Sequence, residues 1–441
     1  MTGIDPSRLR KRRSTAPRRR KAAKDWRKPL GILGVASLSL LALSLILMSR
    51  SDNDALLLHS STLTQKDRDD WDESSQKSKS NNGVLHVVFT RFMQDQPKLI
   101  HLARARLLLF EKICLPTMIQ QSTQQFIWII QTDPKLDNDI RHSLKQLLKP
   151  YPNYFLIGSN TQIQGETFRS IGKELLKSPL YTGNVKLLRQ AYLNRNNIPL
   201  LQTRLDADDG LQFNYLERLQ EESTHIFFNN QGGGGDTTDT DTDTGADTLD
   251  WYYWCIKRHF EWYSDSNALN PVEHSRLCIT PGLTVGMGVA PLVKPPPLHL
   301  AHDVLFKEIS ASSSPAAYSC GGGRRQRQQT SCIRMLDEIA VGAVRSRTWT
   351  SAGMMDIFAA TSNDSVPQDR LWEILQQQFG ISDLTKIGSY LKEHLLEIAK
   401  DNLEGQCTNG HSCKLKSVEA LQRLIDLQRE GGNLKTVDVL H

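Results

Sequence analysis

Between Val84 and Asn230, short apolar runs alternate with amphipathic ones, and that alternation restricts the fold more than any single motif. The runs "VLHVVFTRF" (84–92), "QFIWIIQTD" (125–133), "NYFLIGS" (153–159), "PLLQTRLDAD" (199–208) and "HIFFNN" (225–230) have strand length and strand composition. Between them, "LIHLARARLLLFEKICLPTMI" (99–119), "LDNDIRHSLKQLLK" (136–149), "NVKLLRQAYLNR" (184–195) and "LQFNYLERLQEE" (211–222) repeat apolar residues at helical spacing. This order predicts an α/β fold, a mainly parallel twisted sheet with helices on both faces. Right-handed crossovers then gather the C-terminal strand ends on one edge, where ligands bind.

Charge divides the chain before the fold begins. Residues 1–28 hold 12 Lys and Arg against 2 acids, while the rest carries 42 basic and 46 acidic residues, so the net +6 describes a tail. That balance gives no reason to expect a nucleic-acid partner. Residues 29–49, "PLGILGVASLSLLALSLILMS", are 21 residues without a charge. At about 1.5 Å per residue they cover a hydrocarbon core of roughly 30 Å. Basic residues precede the run and "SDND" follows it, which predicts a type II signal anchor: a cytosolic tail (1–28), a transmembrane span (29–49), a polar stem (50–82) and a luminal domain (83–441) in the Golgi or ER membrane. A cleaved signal peptide would have a shorter apolar core and a small-residue cleavage site. A nuclear-localisation reading of "RKRRSTAPRRRK" yields to the neighbouring apolar run.

Seven cysteines are an odd number for an oxidising lumen. Cys320 with Cys332 and Cys407 with Cys413 are near enough in sequence to close small loops, and without a Cys-x-x-Cys pair a structural zinc site is not expected. Asn363 opens one glycosylation sequon. Low-complexity stretches at 231–248 and 312–331 read as insertions, and "QDRLWEILQQQFG" (368–380) and "VEALQRLIDLQRE" (418–430) as C-terminal helices.

The block "TRLDADDGL" (203–211) places Asp206, Asp208 and Asp209 within four positions at the end of an apolar run. Carboxylates crowded there need a compensating cation or hydrogen bonds. Mn²⁺ or Mg²⁺ held by Asp206 and Asp208 would leave coordination positions for the oxygens of a diphosphate, with Asp209 a less certain ligand that alternation turns elsewhere. An exposed acidic turn is the plain alternative. Polar groups of "TRF" (90–92), "QTD" (131–133) and "DADD" (206–209) are all expected on the same rim.

Together with "FEKICLPTMIQQSTQQFIWIIQTDP" upstream and "GAVRSRTWTSAGM" downstream, this block resembles the rhamnosyltransferase family, whose members resemble glycosyltransferases of the GT-A type. The resemblance runs from about residue 84 to 355. Members typically read "TRLDNDDAL", so Ala207 stands where Asn is usual while all three Asp are kept. It implies a GT-A-like fold and transfer of a sugar from a nucleotide-diphosphate donor to a glycan or glycoprotein acceptor, the metal resting on Asp208 and Asp206. Asp133 then suits the donor base or ribose, or equally a helix cap before Pro134. Arg91, Arg204, Arg345 and Arg347 are candidates for the diphosphate, or solvated cations. His302, preferred over His299, is a candidate late metal ligand, or a packed histidine. For an inverting reaction a carboxylate is the expected acceptor base, and Asp303, the residue taken forward, Asp265 and Glu261 are all candidates among which the sequence does not choose.

Two rivals belong to other classes. A non-catalytic luminal binding or scaffold protein would keep the fold without turnover. Dehalogenase-type phosphate chemistry needs Asp-x-Asp-x-Thr after the first strand, whereas here the acids follow the fourth and lack the Thr; Walker, Gly-x-Ser-x-Gly and His-Glu-x-x-His motifs are absent.

Overall fold

The computed structural model describes residues 83–161, 167–228, 250–275, 277–289, 320, 332–351, 367–406, 422–423 and 425–426. The expected tail, membrane span and stem lie outside these residues, as do Asn363, Cys407, Cys413, most of the helix expected at 418–430, and both insertions apart from Cys320. Among the described residues no helix is long and apolar enough to cross a membrane.

In chain order the first half reads β1 (Leu85–Phe92), α1 (Ile100–Leu109), a π-helical turn (Phe110–Cys114), α2 (Leu115–Ile119), β2 (Ile127–Thr132), α3 (Asn138–Leu148), β3 (Tyr154–Gly158), α4 (Phe168–Leu175), α5 (Val185–Asn194) and β4 (Leu200–Arg204). There follow β5 (Gly210–Leu211), α6 (Tyr215–Phe227), β6 (Trp251–Ile256), β7 (Arg258–Tyr263), β8 (Ala268–Glu273), β9 (Leu283–Met287), β10 (Ile333–Leu336) and β11 (Ala343–Arg347). Three helices close the described chain: α7 (Gln368–Phe379), α8 (Thr385–Glu393) and α9 (Leu395–Gln406).

A seven-stranded sheet in the order β10-β6-β9-β4-β1-β2-β3 forms the centre. Strands β4, β1, β2 and β3 pair in parallel, as the alternation requires. Their side chains are buried on both faces, which is why the runs read as continuous apolar sequence rather than as alternation. Val87, Phe89, Ile129, Phe155 and Ile157 pack on one face with Phe168, Leu175 and Leu188 of α4 and α5. Val88, Trp128, Ile130, Tyr154 and Leu156 pack on the other with Leu102, Leu109, Leu144, Leu216 and Leu219 of α1, α3 and α6. Helix α3 shows how sequence sets such an element: Ile140, Leu144 and Leu148 make the buried stripe, and Asp137 caps it by accepting from the backbone N–H groups of Asp139 (3.0 Å) and Ile140 (3.3 Å). A mixed α/β fold with a mostly parallel sheet and helices on both faces fits the GT-A-like expectation.

The large sheet is mainly parallel, as expected, with β9 running antiparallel between β4 and β6. Three expectations are corrected, all below the level of the sheet. The run 225–230 does not begin a strand: His225–Phe227 ends α6, and Phe227 continues its buried stripe of Leu216, Leu219 and Ser223. The helix expected from 211 starts at Tyr215, since Gly210–Leu211 pairs instead with β11. The single helix expected over 99–119 is broken by a π-helical turn, because Pro116 has no N–H to offer the Lys112 carbonyl. Helix α4 and a second, four-stranded sheet in the order β5-β11-β7-β8 were not anticipated.

Disulfides join Cys255 to Cys278 and Cys320 to Cys332, the latter as spacing allows, while Cys114 is a buried free thiol.

His86, on β1, is 1% exposed, with Nε2 2.8 Å from Thr203 Oγ1. Burial pushes its pKa down to about 3. A folded-state pKa below the unfolded value of about 6.5 means that stability present above pH 6.5 is lost as pH falls towards 3, by about 1.4 kcal/mol per pH unit. Between pH 7 and pH 5, urea unfolding of the wild type is therefore expected to lose about 2 kcal/mol more than that of His86→Gln; equal losses would contradict the assignment.

Candidate functional site

The acidic block lies where the chain passes from one sheet to the other. The last bond to the large sheet is Leu205 N–H to the Phe89 carbonyl (2.9 Å); the backbone N–H of Asp209 then closes a turn on the Asp206 carbonyl (3.2 Å), and Gly210 opens β5 of the small sheet. Only a glycine fits at 210, since a Cβ there would stand 2.7 Å from Thr117 Cγ2 and 2.9 Å from Val344 Cγ1. The π-helical turn braces the block from behind, with Cys114 Sγ donating to the Asp206 carbonyl at 3.7 Å. The strand expected to reach Asp208 thus stops at Arg204, and the turn itself directs the acids.

Their environments differ. Asp206 is partly accessible, its side chain 39% exposed and its Oδ1 4.0 Å from Arg204 Nε. Asp208 Oδ2 accepts from the Thr350 hydroxyl at 3.2 Å. Burial raises its pKa, with the Arg106 charge acting against that rise. Asp209 is 3% exposed, and its Oδ1 accepts the Ser346 backbone N–H at 3.0 Å. Burial first, and then the charges of Asp208 and Asp206, hold its pKa well above the carboxylate range. Asp209 therefore ties the turn to β11.

All three acids line a cavity of about 340 Å³. Its other walls come from Arg91 on β1 and Met93, Gln94 and Gln96 after it, from Arg106 of α1, from Arg204 and Thr280, and from Arg345, Ser346, Thr350 and Ser351 on and after β11. Met93 (φ 53°) and Asp95 (φ 59°) hold the loop after β1 in the left-handed region. Such backbone costs an L-residue about 1–2 kcal/mol and collects at functional sites. Gln94 secures the loop by donating to the Ser159 carbonyl at 2.7 Å. Four guanidinium groups face three carboxylates. Burial and then the nearby Arg204 lower the pKa of Arg91, and burial lowers that of Arg106. Crowded cations of this kind favour an anionic ligand with several charged oxygens.

Asp206 and Asp208 also fit a small divalent cation. Their oxygens are hard donors, and Mg²⁺-type sites commonly take one or two protein carboxylates and fill the rest with phosphate oxygens and water. Among the described residues no group of three or more His, Cys, Asp or Glu side chains could hold a metal ion, so the pair would act with the ligand rather than as a closed cage.

The other candidates fall elsewhere. Asp133 is 3% exposed, accepts the Lys135 backbone N–H at 2.7 Å in a turn and does not line the cavity; it does not cap a helix before Pro134 either, since α3 begins at Asn138 with Asp137 as its cap. Arg347 turns to Glu261, with Nε 2.8 Å from Oε1 and Nη2 bonded to the same oxygen. Tyr263 donates to Glu261 Oε2 at 2.6 Å, and His259 Nε2 lies 3.5 Å from Oε1. Burial works against the Glu261 charge, but His259 and Arg347 outweigh it and hold the acid well below the usual range, a poor setting for a base. Neither Glu261 nor Asp265 lines the cavity. His299, His302 and Asp303 lie outside the described residues. Sequence reasoning missed Gln94, Gln96, Arg106 and Thr350. The signal for Arg106 was its place on the buried stripe of α1, four residues after Leu102 and three before Leu109.

Residues 101–231 match the family model described as "Putative rhamnosyl transferase". The match carries the acidic block, β2 to β5, all of α6 and all of α1 but Ile100, and it supports reading the chain as a glycosyltransferase. No match is found among curated proteins.

Because the Asp209 pKa is raised, the protonated acid stabilises the fold below the unfolded pKa of about 3.9, and that contribution is lost as pH climbs through the folded value. In chelator, the melting temperature of Asp209→Asn relative to wild type is expected to rise from pH 5 to pH 8, and a constant difference would contradict it.

Proposed function

We propose, from the match over residues 101–231, that this chain is a metal-dependent glycosyltransferase moving a sugar from a nucleotide-diphosphate donor to a glycan or glycoprotein acceptor. The observation that carries the reading is the Asp206 and Asp208 pair on the wall of a cavity that also holds four arginines, at the C-terminal ends of parallel strands β1 and β4. Binding and charge are the work of this chain's own residues. Arg91, Arg204 and Arg345 take the oxygens of the diphosphate, and Asp206 and Asp208 hold Mn²⁺ or Mg²⁺ beside it. The cation, when bound, neutralises charge that grows on the leaving diphosphate. Asp209 fixes the turn against β11 and so sets the distance between the acids and Arg345. Asp303 is the proposed acceptor base and His302 a proposed further ligand, both on sequence grounds, and Glu261 is set aside because Arg347 binds its charge.

A type II anchor and a Golgi or ER location belong to the same proposal. The uncharged run 29–49 behind a basic tail supports them, and the disulfides Cys255–Cys278 and Cys320–Cys332 suit an oxidising lumen.

The test is donor turnover by the full-length protein across a panel of nucleotide sugars, with Mn²⁺ or with chelator. Turnover that needs the metal, and that falls about 10²–10³-fold in Asp208→Asn, is the expected result. No turnover of any donor, together with no metal-dependent nucleotide binding, would favour a non-catalytic binding protein instead.

A further inference from the structure

Arg106 stands at the junction of the segments that build the cavity. From α1 its Nη1 donates to Gln96 Oε1 at 3.0 Å and to Met93 Sδ at 3.4 Å, which gathers the left-handed loop after β1. Its Nη2 donates to the Thr350 carbonyl at 2.9 Å. Thr350 in turn gives its hydroxyl to Asp208 Oδ2. The other arginines are placed differently: Arg204 comes no nearer to Asp206 than 4.0 Å, Arg91 is exposed, and Arg345 stands across the cavity on β11.

We infer that Arg106 is a positioning residue and the resident counter-cation of the acidic turn, holding Asp208 through Thr350 and offsetting the charge of Asp206 and Asp208 while the site is empty. The inference rests on the diphosphate and metal reading above. Its consequence has two opposed signs. A fixed cation beside two carboxylates repels a divalent ion from them, yet attracts a polyanion into the same cavity. Arg106 would therefore weaken binding of the bare metal and strengthen binding of the diphosphate. A residue that served packing alone would, when removed, weaken both.

The experiment uses the full-length protein and two ligands measured separately: Mn²⁺ alone, followed by the free-ion electron paramagnetic resonance signal, and inorganic pyrophosphate in chelator, followed by calorimetry. Arg106→Met is expected to bind Mn²⁺ about tenfold more tightly and pyrophosphate about tenfold more weakly. Arg106→Lys, with its charge kept, should stay within about twofold of wild type for Mn²⁺. Should the Met variant fail to fold, Arg106→Gln, which keeps a donor for the Thr350 carbonyl, is expected to give the same opposed shifts. Parallel loss of both affinities, or no change in either, overturns the inference. A wild type that binds neither Mn²⁺ nor pyrophosphate overturns the functional reading and this inference with it.

Discussion

Three carboxylates in one tight turn between two sheets set the terms for everything around them. Left alone they would repel each other and resist burial. The structure meets each differently: Asp209 accepts a backbone N–H from β11, Asp208 accepts the Thr350 hydroxyl, and Asp206 keeps contact with solvent. Four guanidinium groups are then drawn to the same cavity from β1, α1, β4 and β11. The acids thus organise the walls that face them, and the packing of Gly210 against Thr117 and Val344 fixes where that organisation occurs.

The small sheet explains how the site is closed on its second side. Phe260, Trp262 and Val344 turn to the core they share with Phe379, Leu384 and Ile387, which leaves His259, Glu261, Tyr263, Arg345 and Arg347 on the opposite face by alternation. On that face Glu261 binds Arg347, while Arg345, two residues earlier on the same strand, lines the cavity. Two arginines that look equivalent in "RSRT" are therefore divided by their neighbours, one paired with Glu261 and one lining the cavity.

Much of this was legible in the residues. The βα alternation gave the parallel core because each strand was buried on both faces and each helix on one. Asp206, Asp208, Arg91 and Arg204 share a rim because strand ends of parallel units must, while Arg345 reaches the same cavity from β11 of the second sheet. What was hidden depended on contacts distant in sequence. The antiparallel strand β9 and the two-residue strand β5 are too short or too ambiguous for periodicity and are defined by their pairing partners. Arg106 was concealed inside an apolar helix, where its position on the buried stripe mattered more than its charge. For Asp133, "DP" allowed a ligand or a helix cap alike, and the structure shows its carboxylate accepting the Lys135 N–H in a turn outside the cavity.

The most direct measurement is an anomalous-difference map from crystals of the full-length protein grown with Mn²⁺ and pyrophosphate. A manganese peak bonded to the carboxylates of Asp206 and Asp208, with pyrophosphate against Arg91, Arg204 or Arg345, is the predicted result. Pyrophosphate and manganese bound elsewhere, with this cavity filled only by solvent, would contradict the account.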